Sequence, residues 1–128
     1  MKVGKETLDK GIAKAKAGKH LGEVSAQIEK EIYGHGYHIM EQLTGHGIGH
    51  DLHEDPNVLN YLDRPIDKTI IMKPGLVIAV EVIYSMGTED IRHEGGEDTW
   101  SITTDDLSLS ACFEKTIAIT EKNTFILT

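Results

Sequence analysis

The sequence predicts an α+β fold, with helices covering one face of a largely antiparallel sheet, and two observations predict it. The first third carries apolar residues at helical spacing, whereas after Tyr61 the pattern becomes short apolar runs cut by turn signals. Residues 6–17 read as a helix, with Leu8, Ile12 and Ala15 on one stripe and Gly18 as the stop. A second helix is expected over residues 22–33, where Val24, Ile28 and Ile32 recur at every fourth position and Gly34 and Gly36 end it. Lys73-Pro74-Gly75 is a turn signal, and the Val- and Ile-rich residues 76–84 that follow are too short for a core helix and predict a strand. Residues 94–98, with Gly95-Gly96, read as a loop, and further strands are expected at 100–103, 112–120 and 124–127.

At 128 residues, 39% hydrophobic and 27% charged, the chain is expected to form one domain with a core that needs no disulfide or structural zinc. No apolar run approaches the ~20 residues that span a bilayer. Met1-Lys2-Val3-Gly4-Lys5 has no apolar segment of the kind a signal peptide carries. The single cysteine, Cys112, excludes an internal disulfide and fits a reducing cytoplasm. A net charge of −8 argues against nucleic acid, because phosphate binding draws on clustered basic residues. The lysines between Lys2 and Lys19 alternate with apolar residues and read as the solvated face of a helix. The expected setting is soluble and cytoplasmic, with neither nucleic acid nor membrane as a partner.

The densest chemical signal is Gly45-His46-Gly47-Ile48-Gly49-His50-Asp51-Leu52-His53-Glu54-Asp55-Pro56. His46, His50 and His53 have helical spacing, but three glycines would each cost a helix ~1 kcal/mol relative to alanine. An irregular, glycine-hinged loop is expected, able to turn several imidazoles into one cleft. Taken singly, each histidine is equally well an ordinary surface or core side chain, and the loop alone leaves both readings open. Glu81 lies within Val77-Ile78-Ala79-Val80-Glu81-Val82-Ile83-Tyr84, and Glu114 within Ala111-Cys112-Phe113-Glu114-Lys115-Thr116-Ile117-Ala118. A carboxylate amid apolar strand residues is expected to be buried and to need a partner. Lys115 faces away from Glu114 by strand alternation. One such glutamate could sit on a solvent face or pair with a lysine; a bound metal would satisfy both at once. Oxygen ligands with one imidazole suit manganese, iron, cobalt or zinc.

These segments together resemble the methionine aminopeptidases of the pita-bread fold. Gly45 to Gly49, His53 to Val58 with Asn60-Tyr61, Lys73-Pro74-Gly75 through Glu81, and Asp98, Trp100, Thr104, Asp106, Ser108, Ser110-Ala111 and Phe113-Glu114 follow that family's motifs in order. The resemblance covers nearly all of the chain. It implies the C-terminal part of a pita-bread fold with a curved sheet, residues 1–128 forming a single, partial catalytic domain. It also implies a two-ion centre that removes methionine from the N-terminal peptide of nascent proteins. His46, Glu81 and Glu114 would be metal ligands, Glu81 also the general base, and Glu114 the bridge between ions. His53 would hydrogen-bond the scissile peptide group, while Trp100, Leu52 and Cys112 would border the pocket for the methionine side chain. His35, His38 and His50 receive no role. Glu114 in Ser110-Ala111-Cys112-Phe113-Glu114 favours methionine over the proline specificity of the sister dipeptidases.

The sequence also departs from the family. Val82 stands where many members have proline, Lys115 where many have histidine, and Cys112 where many have glutamine. The family's two aspartate ligands have no counterpart before His46, since Asp9 lies on the first helix. The chain is therefore expected to be a fragment or truncated form of the enzyme, with weak activity alone and self-association through an exposed sheet edge. The alternative is a non-catalytic pita-bread module that binds peptides or proteins.

Overall fold

The computed structural model describes residues 1–95 and 98–128. In chain order the elements are helices α1 (Lys2–Ile12) and α2 (Gly22–Gly34), then strands β1 (His38–Ile39), β2 (Gly45–Gly47) and β3 (Glu54–Val58). A short 3₁₀ turn at Ile66–Lys68 precedes β4 (Val77–Ser85), β5 (Ile91–Gly95), β6 (Asp98–Thr104), β7 (Ser110–Ile119) and β8 (Thr124–Ile126). The main sheet runs β3-β2-β4-β7-β8, with β1 pairing the far end of β4; β5 and β6 form a separate hairpin. Every described pairing is antiparallel. This is the α+β arrangement the sequence predicts.

The two helical stripes are the reason the helices form where they do. Leu8, Ile12 and Ala15 from the first, and Val24, Ile28 and Ile32 from the second, are all buried. They pack on Ile78, Val80, Val82 and Tyr84 of β4 and on Ile117 and Ile119 of β7 in one apolar cluster. Strand alternation assigns these β4 residues to the helix-covered face and Ala79, Glu81 and Ile83 to the opposite one. β4 is apolar on both faces because it is the central strand, with β1 and β2 along one edge and β7 along the other.

Several elements differ from the sequence expectation, and α1 begins at Lys2 rather than at residue 6. α1 ends at Ile12 rather than at residue 17. Tertiary hydrogen bonds take the backbone there: Thr124 Oγ1 donates to the Ala15 carbonyl, and the Gly18 amide donates to the Met72 carbonyl. β1, β2 and β3 appear where no strand is expected, because glycine and Pro56 give them little strand character of their own. Pairing of β1 and β2 with the edge of β4, and of β3 with β2, holds them in place. Of the expected loop at 94–98, Glu94 and Gly95 end β5 and Asp98 begins β6, while Gly96 and Glu97 lie outside the described residues.

α1 approaches the sheet closely at Gly4, where an added Cβ would collide with the rings of Phe113 and Tyr84. Gly34, at the end of α2, has no neighbour within 4 Å of such a Cβ. Two alanine substitutions should therefore act in opposite directions. Gly34→Ala gains roughly 0.5–1 kcal/mol of helix stability. For Gly4→Ala the same gain is outweighed by overpacking of ~1–3 kcal/mol. Urea midpoints should rise for Gly34→Ala and fall for Gly4→Ala; a rise in both would remove the close packing of α1 from the account.

Candidate metal centre

β2 lies between β3 and β4, and its glycines are what let it fit there. A Cβ on Gly45 would strike the carbonyl oxygen of Ala79, and one on Gly47 the carbonyl oxygen of Asp55. Neither glycine has a positive φ. The expected irregular loop is confined to residues 48–53, while His46 sits on a strand opposite Ala79 whose pairing with β3 shifts register between Gly45 and Gly47, and these two glycines serve close approach. The side chain of His46 is buried, and its Nδ1 donates to the Gly47 carbonyl at 2.9 Å. A carbonyl only accepts, so Nδ1 carries a hydrogen and Nε2 is the ring nitrogen left to face Glu81. Nε2 lies 3.5 Å from Glu81 Oε1. Either a proton or a metal cation between these two atoms would bridge them.

Glu81 on β4 stands directly across from Glu114 on β7. Both project from the face that the helices leave open. Glu81 is partly buried by neighbouring strands, whereas Glu114 is exposed, contrary to the expectation that both are buried. The exposure is local to Glu114, since Ala79 and Ile83 on the same face are buried. Burial raises the Glu81 pKa above the ordinary carboxylate range, the charge of Glu114 raises it further, and His46 partly opposes the shift. Lys115 cannot offset these charges: it points to the helix face and pairs with Asp9 of α1 at 2.7 Å.

His53 follows the turn after β2 and brings its ring to 4.2 Å from that of His46, tilted by 50°. Glu54 holds that turn by accepting from the Asp51 amide at 2.9 Å. The thiol of Cys112 lies 4.0 Å from Glu81 Oε2. Cys112 is exposed as a residue, yet its sulfur sits down among the sheet's carboxylates. Desolvation there, with the charges of Glu81 and Glu114, pushes the thiol up to about 11. The remaining candidates stand in the open, Leu52 at 67% and Trp100 at 90% exposure, so any recess they border is open-sided. No residue pattern marks the role of the Gly47 carbonyl, which accepts from Nδ1 of His46 and orients its ring.

The donors suit a divalent ion only in part. His46 Nε2 and Glu81 Oε1 have the separation that two ligands of one tetrahedral ion take, roughly 3.4 Å for bonds of ~2.1 Å. The ordered second-sphere bond to His46 Nδ1 is also what a metal-bound imidazole needs. Among the described residues, however, no three His, Cys, Asp or Glu side chains are gathered closely enough to enclose an ion. His46 and Glu81, with Glu114 opposite, make a half-shell.

Comparison with known proteins identifies the family and the fold. The chain is 35% identical over 127 residues to methionine aminopeptidase of Escherichia coli K12, covering 99% of this chain and 47% of that protein. It is 37% identical over 128 residues to methionine aminopeptidase 1 of Bacillus subtilis, covering 100% of this chain and 50% of that protein. The chain thus spans about half the length of the curated relatives it matches. The crystal structure of methionine aminopeptidase from Thermotoga maritima superposes with a TM-score of 0.90 at 36% identity, over 99% of this chain and 49% of that one. The enzyme from Rickettsia prowazekii gives 0.88 at 34% identity, over 98% and 49%. The prolidase from Pyrococcus horikoshii, at 22% identity and a TM-score of 0.71, shares the fold. The helices on one face of an antiparallel sheet are those of the pita-bread methionine aminopeptidases. A family model for metallopeptidase family M24 matches residues 1–121, and the chain belongs to that family.

Proposed function

We propose that this chain supplies the His46, Glu81 and Glu114 side of a metal-dependent aminopeptidase site that releases methionine from the N-terminus of nascent polypeptides. The observation that carries the reading is the Nε2 of a buried, oriented His46 aimed at Glu81, with Glu114 across the sheet. The relatives named above support the choice of reaction and of substrate. A bound cobalt, manganese, iron or zinc ion would supply positive charge to polarise the scissile carbonyl and to make a water more acidic. Glu81 would accept the proton from that water, and its raised pKa suits a base working nearer neutrality. His53, tilted against His46, would donate to the peptide group. Leu52, Trp100 and Cys112 would border the methionine side chain. A complete two-ion site needs more ligands than these three.

Three outcomes follow. The 128-residue chain should bind manganese weakly in calorimetry, and His46→Ala should weaken that binding by at least ~10-fold. Unchanged binding in the variant would refute the ligand assignment.

The pH response has a definite sign. The folded-state pKa of Glu81 lies above its unfolded value, so the folded chain holds the proton more tightly. Its contribution to stability is complete below the unfolded pKa and is lost as pH rises through the folded one. Glu81→Gln should therefore raise the thermal midpoint of the metal-free chain at pH 7 and leave it nearly unchanged at pH 4, while removing metal binding. An equal gain at both pH values would mean that charge is not the cause.

With manganese or cobalt and a Met-Ala-Ser peptide, the isolated chain should release little or no free methionine. Turnover near ~1 s⁻¹, within the usual enzyme range, would show that these ligands suffice or that a second copy completes them.

A further inference from the structure

We propose that two copies of this chain pair along the free part of strand β7, each bringing its Ser110 hydroxyl beside Glu114 of the other. β7 runs from Ser110 to Ile119, but β8 pairs only with Ile117, Ala118 and Ile119. Its contact ends where the Leu127 amide donates to the Thr116 carbonyl. Among the described residues, no strand lies beside Ser110 to Lys115 on that side. The amide and carbonyl of Thr116 both point towards β8, the amide donating to Thr128 Oγ1. Antiparallel strands alternate, so the amides and carbonyls of Ser110, Cys112 and Glu114 point the same way, into the open. Neither proline nor bulge blunts this edge, because the register with β4 is unbroken.

The residues along this edge match a second copy of themselves. Antiparallel pairing of a strand with its own copy is two-fold symmetric. Centred on Cys112, it sets Ser110 against Glu114, Ala111 against Phe113 and Cys112 against Cys112, and it ends before β8 begins. A hydroxyl then meets a carboxylate on the open face, and a methyl meets a ring on the helix side. Centring on Glu114 would oppose like charges and run Cys112 against Thr116, where β8 already lies. Centring on Phe113 would run Ser110 into the same obstruction. One register survives. It keeps the two Glu114 carboxylates apart along the strands, and it carries the exposed Leu109 of each copy towards the exposed Leu127 at the end of β8 in the other. The open edge thus gives the expected self-association a definite place.

Sedimentation equilibrium of the metal-free 128-residue chain tests this, and the outcome stands whatever becomes of the metal reading. A monomer–dimer equilibrium is expected. Ser110→Glu sets a carboxylate opposite Glu114 of the other copy and should weaken the dimer roughly 3- to 10-fold, whereas Ser110→Lys should strengthen it by a similar factor. Ser110 is exposed, so both variants should keep the circular dichroism of the parent. Oxidative cross-linking in a Cys112→Ser background reads the register. Ser110→Cys chains mixed with Glu114→Cys chains should yield a disulfide-linked mixed dimer, since hydrogen-bonded partners lie ~5.5 Å apart at Cα. Neither chain alone should cross-link. A monomer at every concentration would overturn the proposal. So would a dimer that both Ser110 variants leave unchanged, or one in which the mixed pair cross-links no better than either chain alone.

Discussion

Glu81 sits directly across from Glu114 because β4 and β7 pair in one unbroken register from Val77↔Ala118 to Ser85↔Ser110, and the rest of the site depends on that register. A one-residue slip of β4 would turn Glu81 to the helix face and send Val80 outward, and a slip of β7 would do the same to Glu114 and Phe113. The apolar alternation of β4 forbids such a slip, since Ile78, Val80, Val82 and Tyr84 would lose their contacts with the helices. The core therefore specifies the chemistry. Burial of one set of side chains on β4 fixes the direction of the other.

β2 adds the imidazole to the same frame. Its pairing with β4 puts His46 beside Ala79, two residues before Glu81, and so on the same open face. Only a chain without side chains at 45 and 47 can come so close to the Ala79 and Asp55 carbonyls. His46 thus sits on a strand made possible by glycine, and the Gly47 carbonyl that the strand presents orients its ring. Donors on strands have little freedom to drift, and a site that must hold an ion at fixed distances benefits from that.

Much of this was legible in the sequence. The apolar stripes of both helices, strand β4 and the inward or outward sense of Lys115 follow from periodicity, because burial is what periodicity records. The exposure of Glu114 was not legible: flanking apolar residues show that a strand is central, but not whether both of its faces are covered. The ends of α1 depended on long-range partners, Thr124 and Met72, which no local pattern reveals. β1, β2 and β3 escaped for the same reason, as they owe their form to β4 and to one another rather than to their own residues. His46, Glu81 and Glu114 stood out through their motifs, whereas the glycines around His46 read as a hinge and concealed the short strand that carries it.

The open face also explains why stability and chemistry pull against each other here. A sheet can satisfy a partly buried glutamate most cheaply with a lysine, and one is available in Lys115, but alternation sends it to Asp9 on the helix side. Glu81 is left partly desolvated with a like charge across the strand, only partly opposed by His46, so its pKa is raised and the metal-free chain carries a penalty at neutral pH. The same lack of compensation makes the site receptive to a divalent ion, because the first positive charge to arrive relieves desolvation and repulsion together. A carboxylate already neutralised by lysine would have to break that pair before binding metal. The arrangement on β4 and β7 keeps the cation out of the protein's own sequence on that face and leaves the place for one from solution.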